Sequence, residues 1–384
     1  MTDKTPAAKP ETILVINAGS SSIKYGLYRK DDLTLLDHKN IETKKTGGYE
    51  PAMQQILDLI EKHNVTAVGH RIVHGGKDYA APVKIDAKVL ADLEALAPLA
   101  PLHQPHNLKG VKLIAEKYPD LAQVASFDTA FHRTQSKLSQ MYAIPRKLTD
   151  EGIIRYGFHG LSYEYISSVL PEYTDAKTAK GRVIVAHLGN GASMAAIKDG
   201  KSVATTMGFT PLDGLMMGTR SGATDPGILL HLLEKGETAK TLSDIFMKQS
   251  GLKGVSGMTE DLRELLASDK PEAKEAIDLF ALYAARQAAS LTVDLGGVDA
   301  IVFTGGIGEN SEVMRKKILT NLAHLGVKLD DTANDGDKPA IHAADSAIKV
   351  YVIKTDEELM MARHVTKVMT PPAAPKPAPK NPAP

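Results

Sequence analysis

The feature that most constrains this chain is a plan it uses twice. Residues 12–16 (TILVI) form an apolar, β-branched run that ends in NAGSSS (17–22) and resumes at 23–28 (IKYGLY). Residues 182–186 (RVIVA) run into HLGNGAS (187–193) and return through 194–197, with a tight turn at KDGK before 202–206. Strand, small-residue loop and returning strand read as a hairpin each time. Two such units imply a duplicated α/β domain whose hairpin loops face one cleft. At 384 residues the chain is long enough for two cores.

The rest of the pattern agrees. Strand-like runs at 66–73, 121–127, 300–304 and 348–353 alternate with helical spacing at 52–63, at 277–291, from 305 to about 325, and at 355–365. Apolar strands alternating with helices mark an α/β fold. Apolar residues at helical spacing between Ile277 and Leu291 suggest a buried helix. Both ends read as tails: residues 1–10 are loose, and 371–384 (PPAAPKPAPKNPAP) are half proline. The expected organisation is an N-terminal domain of 11–145 plus a returning helix at 356–369, and a C-terminal domain of 146–355. The Pro-rich tail is placed at 370–384.

Composition removes several functions. Forty-six Lys and Arg balance 46 Asp and Glu, which argues against a nucleic-acid footprint. There is no Cys, so disulfides, Cys-ligated zinc and thiol nucleophiles are excluded. No apolar run approaches a membrane span, and MTDKTPAAKP lacks the apolar core of a signal peptide. The expectation is a soluble cytoplasmic protein.

Four Gly-rich loops follow strand-like runs: NAGSSS, HGG (74–76), HLGNG (187–191) and GGIGEN (305–310). Glycine lets successive amides approach an anion, and the last loop also opens a helix. A single loop of this kind is usually a turn; four in one chain point to phosphate. Familiar nucleotide motifs are absent: Gly200-Lys201-Ser202 lacks the upstream glycine of a P-loop and sits at a hairpin tip, and no GxGxxG follows the first strand. Arg71 at an apolar strand end and Arg220 in MMGTRSG are poorly explained as surface residues, and two guanidiniums can clamp a carboxylate or phosphoryl group. His103, His159 and His187 lie in small-residue loops without metal spacing. Asp128 and Glu357 could hold Mg²⁺, although for Glu357 Thr355 with Glu358 also fits a capping box, and acids suit a helix's first turn.

INAGSSSIKYGLY, GHRIVHGG, FDTAFH, RYGFHGLS, AHLGNGAS, MGTRSG, FTGGIGENS and TDEEL occur in the order seen in acetate kinases, and the chain resembles that family from about residue 12 to 368. The resemblance implies the duplicated actin-like ATPase fold, two domains with the active site in the cleft between them. It implies reversible Mg²⁺-dependent phosphoryl transfer from ATP to acetate, giving ADP and acetyl phosphate by direct in-line transfer. Mn²⁺ would substitute, and the protein would be a cytoplasmic homodimer. Arg71 and Arg220 resemble the pair that holds acetate and the transferring phosphoryl group. His159 resembles the histidine that bonds it, and Asp128 the acid beside the reacting groups. Val73, Leu102, Phe158 and Pro211 match the pocket around the acetate methyl. His187, Leu188, Gly189, Asn190, Gly191, Asp261, Leu262, Arg263, Gly305, Gly306, Ile307, Gly308, Glu309 and Lys24 match the nucleotide site, and Asn17 and Glu357 the Mg²⁺ site. His103 falls on a supporting position. The chain departs from the family at Gln104, His106, Ala223 and Thr224 and in TEDLREL, and it is shorter around 37–55.

Acetate is already ionised at neutral pH, so no general base is needed. The difficulty is bringing an anion to a polyanion, which makes positioning and neutralisation the task. Asp128 is therefore expected to organise the water around Mg²⁺. Two rivals follow: a kinase for a longer acid such as propionate, which the bulk of Val73 disfavours, and an actin- or chaperone-like ATPase, which has no use for Arg71, His159 and Arg220 together.

Overall fold

The computed structural model describes residues 9–19, 21–101, 103–336 and 338–370. Most of both predicted tails, residues 1–8 and 371–384, lies outside them. One sheet contains β1 (Thr12–Ala18), β2 (Ser22–Arg29), β3 (Leu35–Glu42), β4 (Val65–Ile72), β5 (Val83–Lys84) and β6 (Ala122–Phe127), in the order β3-β2-β1-β4-β6-β5. The other contains β7 (Arg182–Leu188), β8 (Ala192–Lys198), β9 (Lys201–Thr205), β10 (Ala300–Thr304) and β11 (Lys349–Val352), in the order β11-β10-β7-β8-β9.

The two sheets share one topology. In each, an antiparallel three-strand meander (β1-β2-β3, β7-β8-β9) is extended from its first strand by two parallel strands (β4 and β6, β10 and β11). The first sheet alone adds β5 as an antiparallel edge. The plan read twice in the sequence is thus a duplicated fold.

The helices that position the site are α1 (Tyr49–Lys62), α2 (Gln104–Lys117), α3 (Gly160–Val169), α4 (Pro226–Glu234), α5 (Pro271–Leu295), α6 (Gly305–Asn310), α7 (Glu312–Asn321) and α8 (Glu357–Met369). On one side of the first sheet, α1 buries Met53, Ile56 and Ile60 with Leu14 and Ile16. On the other, Met360, Met361 and Val365 of α8 cover Ile13 and Val15. Gly69 is small for this reason: a Cβ there would meet Val365 at 2.8 Å. On the second sheet the small residues Ala276, Ala284 and Ala288 let α5 lie close, as its periodicity predicted. Strands covered on both faces need continuous apolar runs, and β1 and β10 supply them. Helices α3 and α8 pack on each other between the sheets, each touching strands of the first.

Three local expectations change. The N-cap of α8 is Asp356, whose carboxylate accepts from the Leu359 N–H, while the Thr355 hydroxyl bonds Ser162. The capping box from Thr355 to Glu358 is therefore not formed, because Asp356 sits one residue nearer the helix. The helix predicted from 305 to about 325 breaks at Ser311, whose hydroxyl accepts from the Met314 N–H and starts α7. Strand β3 escaped prediction because it is an exposed edge with almost no buried side chain to set a period. The Asp199-Gly200 tip holds as a turn, with both residues at positive φ between β8 and β9.

Candidate active site

Asn17, Arg71 and Asp128 sit at or just past the carboxyl ends of β1, β4 and β6, three neighbouring parallel strands. That edge is where open α/β sheets bind ligands. Arg71 lies at the centre. Its Nε donates to Asp128 Oδ1 at 2.8 Å and its Nη2 to Oδ2 at 2.6 Å, a bidentate pair. Its Nη1 reaches Asn17 Oδ1 at 3.4 Å, and Glu357 Oε2, at the start of α8, is 4.0 Å from Nε. Burial works against the Arg71 charge, but Asp128 and Glu357 outweigh it and raise its pKa. Withdrawal from water raises the Glu357 pKa against the pull of Arg71, and it raises Glu358 beside it too. Lys24 stands opposite Asn17 in the β1–β2 ladder, exposed, with its charge bearing on Glu357.

The second half answers with Arg220. Its Nη1 donates to the Pro211 carbonyl at 3.2 Å and lies 3.8 Å from Met217 Sδ. Among the described residues no carboxylate comes within ion-pair distance, and burial lowers its pKa. Its loop rests on the second hairpin: the Gly218 N–H donates to the Asn190 carbonyl, and a Cβ at Gly218 would fall 1.9 Å from Asn190 Oδ1. His159 precedes α3 in a left-handed conformation (φ 58°). Gly160 follows, its N–H donating to the Asp128 carbonyl at 2.9 Å, where a Cβ would come within 2.2 Å of that oxygen. This contact ties His159 to the Arg71–Asp128 pair.

His159 stacks on His187 with ring centroids 4.4 Å apart. Its Nδ1 bonds Ser193 Oγ at 2.8 Å; His187 Nδ1 bonds Ser162 Oγ at 2.8 Å, and that hydroxyl bonds Thr355. Burial, then the neighbouring cations, holds His159 well below its ordinary pKa; burial and Arg71 lower His187 to about 4. Both rings are neutral at pH 7. His103, at the N-cap of α2, is lowered by burial and by both arginines. A Cβ added at Gly191 would sit 3.5 Å from His159 Nε2 and 3.8 Å from Arg220 Nη1, so both groups face the bare backbone of the second hairpin loop.

The apolar wall is partly assembled. Val73 and Phe158 share one buried cluster, and Pro211 lies against Arg220. Leu102 lies outside the described residues. Two amides missed by sequence reasoning fix this wall: Asn107 accepts from the Val73 N–H and donates to the Ala18 carbonyl, while Gln104 bonds both the N–H and the carbonyl of His74. Their signal was available in LHQPHN, where Gln104 stood out only as a departure. Ser193 closes the HLGNGAS loop and gave no signal of its own.

The three predicted nucleotide segments converge. Gly189, Asn190, Asp261, Leu262, Arg263, Gly306 and Ile307 line one open cleft of ≈ 770 Å³. Asp261 and Arg263 pair with each other there. Leu188 and Gly308 are buried, so only their backbone can serve the cleft. Glu309 turns inward: its Oε1 accepts from Gly305 N–H, Thr304 Oγ1 and Thr355 N–H, knotting the GGIGEN loop to the start of α8. Gly305 (φ 77°) packs against the Leu188 carbonyl. Among the described residues no group of three His, Cys or acidic side chains could hold a metal alone. Asn17, Asp128 and Glu357 nevertheless offer hard oxygen donors, and Glu357, held only 4.0 Å from Arg71, is a carboxylate short of positive charge. This set fits Mg²⁺, which takes one or two carboxylates and fills its shell with water and phosphate.

Two sheets that share a five-strand topology, with a cleft lined by the second hairpin loop and the GGIGEN loop, define a duplicated actin-like ATPase fold. Solved structures bear this out: a propionate kinase from Francisella tularensis superposes with a TM-score of 0.85 at 38% identity, covering 92% of this chain and 98% of that one. The acetate kinase of Porphyromonas gingivalis gives 0.84 at 35%, covering 94% and 100%. The chain belongs to the acetokinase family, whose model matches residues 12–363. It is 46% identical to an acetate kinase of Rhodopseudomonas palustris (93% of this chain, 98% of the relative) and 44% identical to one of Rhizobium meliloti (95% and 100%).

Proposed function

We propose that this protein is an acetate kinase, transferring the terminal phosphoryl group of ATP directly to a carboxylate oxygen of acetate. The observation that carries the reading is Arg220, a half-buried guanidinium with no carboxylate partner among the described residues. It faces His159 across the glycine backbone at 191, at the mouth of the Gly-rich cleft. An uncompensated cation in such a place fits an anionic second substrate, which a conformational ATPase does not require.

In this reading ATP lies along the cleft formed by 187–191, 261–263 and 305–309, with Lys24 near its phosphates. The acetate methyl contacts Val73, Phe158 and Pro211, and Arg220 takes the carboxylate and then the equatorial oxygens of the moving phosphoryl. His159, neutral, donates one hydrogen bond to the same oxygens. Arg71 is held rigid by Asp128 and adds positive charge without reorganising. This geometry revises the emphasis on Asp128: with both oxygens engaged by Arg71, its first task is to position that guanidinium. Asn17 and Glu357 would hold Mg²⁺, or Mn²⁺ in its place, and the ion when bound neutralises phosphate charge. His187 and His103 support the two arginines.

The remaining assignments belong to the same proposal. The N-terminal domain is 11–145 with 356–369, supported by the packing of α8 on the first sheet; 146–355 is the C-terminal domain. The protein acts as a homodimer in the cytoplasm. Helix α4 is apolar yet buries no residue, leaving Ile228, Leu230 and Leu233 at 47%, 61% and 45% exposure, a face suited to a second copy. No helix among the described residues is long and apolar enough to cross a membrane. Propionate is a slower substrate, a reading favoured by the similarity to a propionate kinase. Hydroxylamine trapping of acyl phosphate with Mg-ATP and acetate, propionate or butyrate tests the substrate. Acetate should give most hydroxamate. More from propionate would rename the substrate, and ATP hydrolysis without hydroxamate would remove the kinase.

A further inference from the structure

His159 is useful to an anion only if the ring nitrogen facing the cleft carries a proton, and the structure holds a device that decides this. Ser193 Oγ, on β8, lies 2.8 Å from His159 Nδ1. On its other side the same hydroxyl meets the Tyr163 phenol, one turn into α3. Tyr163 and Ser193 are fully buried. Among the described residues Ser193 is the phenol's one hydrogen-bond partner, and His159 and Tyr163 are the two partners of the Ser193 hydroxyl.

Counting donors then leaves one arrangement with every proton placed. The phenol has one O–H, and its one acceptor is Ser193 Oγ. Ser193 must therefore pass its own proton to the remaining acceptor, His159 Nδ1. The reverse direction would have Ser193 donate to the phenol and accept from His159 Nδ1–H, stranding the Tyr163 O–H in a dry interior, which buried donors avoid. With Nδ1 accepting, the neutral ring carries its proton on Nε2, the atom that faces Gly191 and Arg220.

We propose that Tyr163 and Ser193 are positioning residues whose one-way hydrogen-bond chain fixes His159 as the Nε2–H tautomer, so that the cleft always meets a donor there. The inference rests on the phosphoryl-transfer reading for its purpose but not for its test. The chain works through backbone already committed to the fold: His159 and Tyr163 share the first turn of α3, where the Tyr163 N–H donates to the His159 carbonyl, and Ser193 pairs with His187 across β7 and β8. One hydroxyl on a strand and one on a helix thus set the polarity of a residue between the two sheets.

The test is ¹⁵N NMR of the full-length, ligand-free protein labelled at histidine, with the His159 signals assigned by loss in His159→Gln. The wild type should show a pyrrole-like Nε2 and a pyridine-like Nδ1. In Tyr163→Phe, which keeps the ring, Ser193 can point either way, and the two nitrogens should move toward averaged shifts. Ser193→Ala, a second and smaller change, should move them further. In both variants kcat should fall about tenfold, a part of the ~10²–10³ that removal of a whole oxyanion donor costs, with KM for ATP and acetate within twofold. A wild-type Nδ1–H tautomer, or shifts and kcat unchanged in Tyr163→Phe, overturns the inference. Failure of the wild type to make acyl phosphate would defeat the functional reading while leaving the tautomer measurement to stand or fall alone.

Discussion

Two arginines, one in each half of a duplicated fold, have opposite surroundings. Arg71 leaves β4 into a nest of acids, with both Asp128 oxygens on its Nε and Nη2 and Glu357 close by. Arg220 leaves a glycine-rich loop of the second half and finds a carbonyl and a sulfur. Strand order is the same on both sides, so topology does not explain the difference. What differs is the charge each half brings to the cleft. The first half is compensated within itself and holds its cation still; the second leaves a cation open to an incoming anion. Duplication supplied two equivalent edges, and local charge gave them different work.

The largest effect should come from Arg71→Ala. Asp128, 2% exposed, would lose the one ion pair it makes among the described residues and sit beside Glu357. Removing one partner of such a pair costs about 3–5 kcal/mol. Chemical denaturation should show that loss together with a fall in kcat/KM of more than ~10³. Arg220→Ala separates the two halves. It should cost ~10²–10³ in kcat/KM while leaving the midpoint of unfolding unchanged or raised, because a cation lacking a partner is removed. Equal destabilisation by both variants would break the contrast.

Val73→Ala tests the pocket between the halves. One methylene in an apolar pocket is worth about 1–3 kcal/mol, so the propionate-to-acetate ratio of kcat/KM should rise by roughly tenfold. Initial rates with both acids decide it, and an unchanged ratio would move the chain-length limit to another residue.

The smallest effect concerns Glu357. Its folded pKa is raised above the ordinary Glu value by withdrawal from water, so the folded state holds its proton more tightly than the unfolded chain. The stability from this group is full below about pH 4, near the ordinary Glu value, and is lost as pH rises through the folded pKa. Glu357→Gln should therefore raise Tm by ~2–4 °C at neutral pH and above, with the gain vanishing near pH 4, while abolishing stabilisation by Mg-ATP. A lower Tm at pH 7 would show that attraction to Arg71 exceeds the cost of burial.

Much of this was legible in the sequence, for a physical reason. Gly-rich loops and strand-end charges are read where local chemistry is unusual, and Arg71, Asp128, His159, His187 and Arg220 stood out that way, whereas Asn17 was singled out by the family resemblance. The duplicated hairpin plan was visible because its buried strands need apolar runs. Side chains that act through others were not legible. Tyr163 and Ser193 are ordinary letters in GLSYEYI and GAS, and only the packing of α3 on β7, whose partner strand β8 carries Ser193, brings their hydroxyls together. Glu309 seemed a nucleotide residue because its loop is one, yet its carboxylate turns into the protein. Gln104 was noticed as a departure, but its double bond to the His74 backbone depends on where α2 lands.

The central claim is that a carboxylate, not water, accepts the phosphoryl group. It can be followed atom by atom. With acetate labelled by ¹⁸O in both oxygens, Mg-ATP and hydroxylamine, the acyl carbon is captured as hydroxamate and the released phosphate keeps the oxygen that bridged to acetate. The account predicts one ¹⁸O in each phosphate, in step with hydroxamate, and loss of both in Arg220→Ala. Unlabelled phosphate formed without hydroxamate would show water as the acceptor and contradict it.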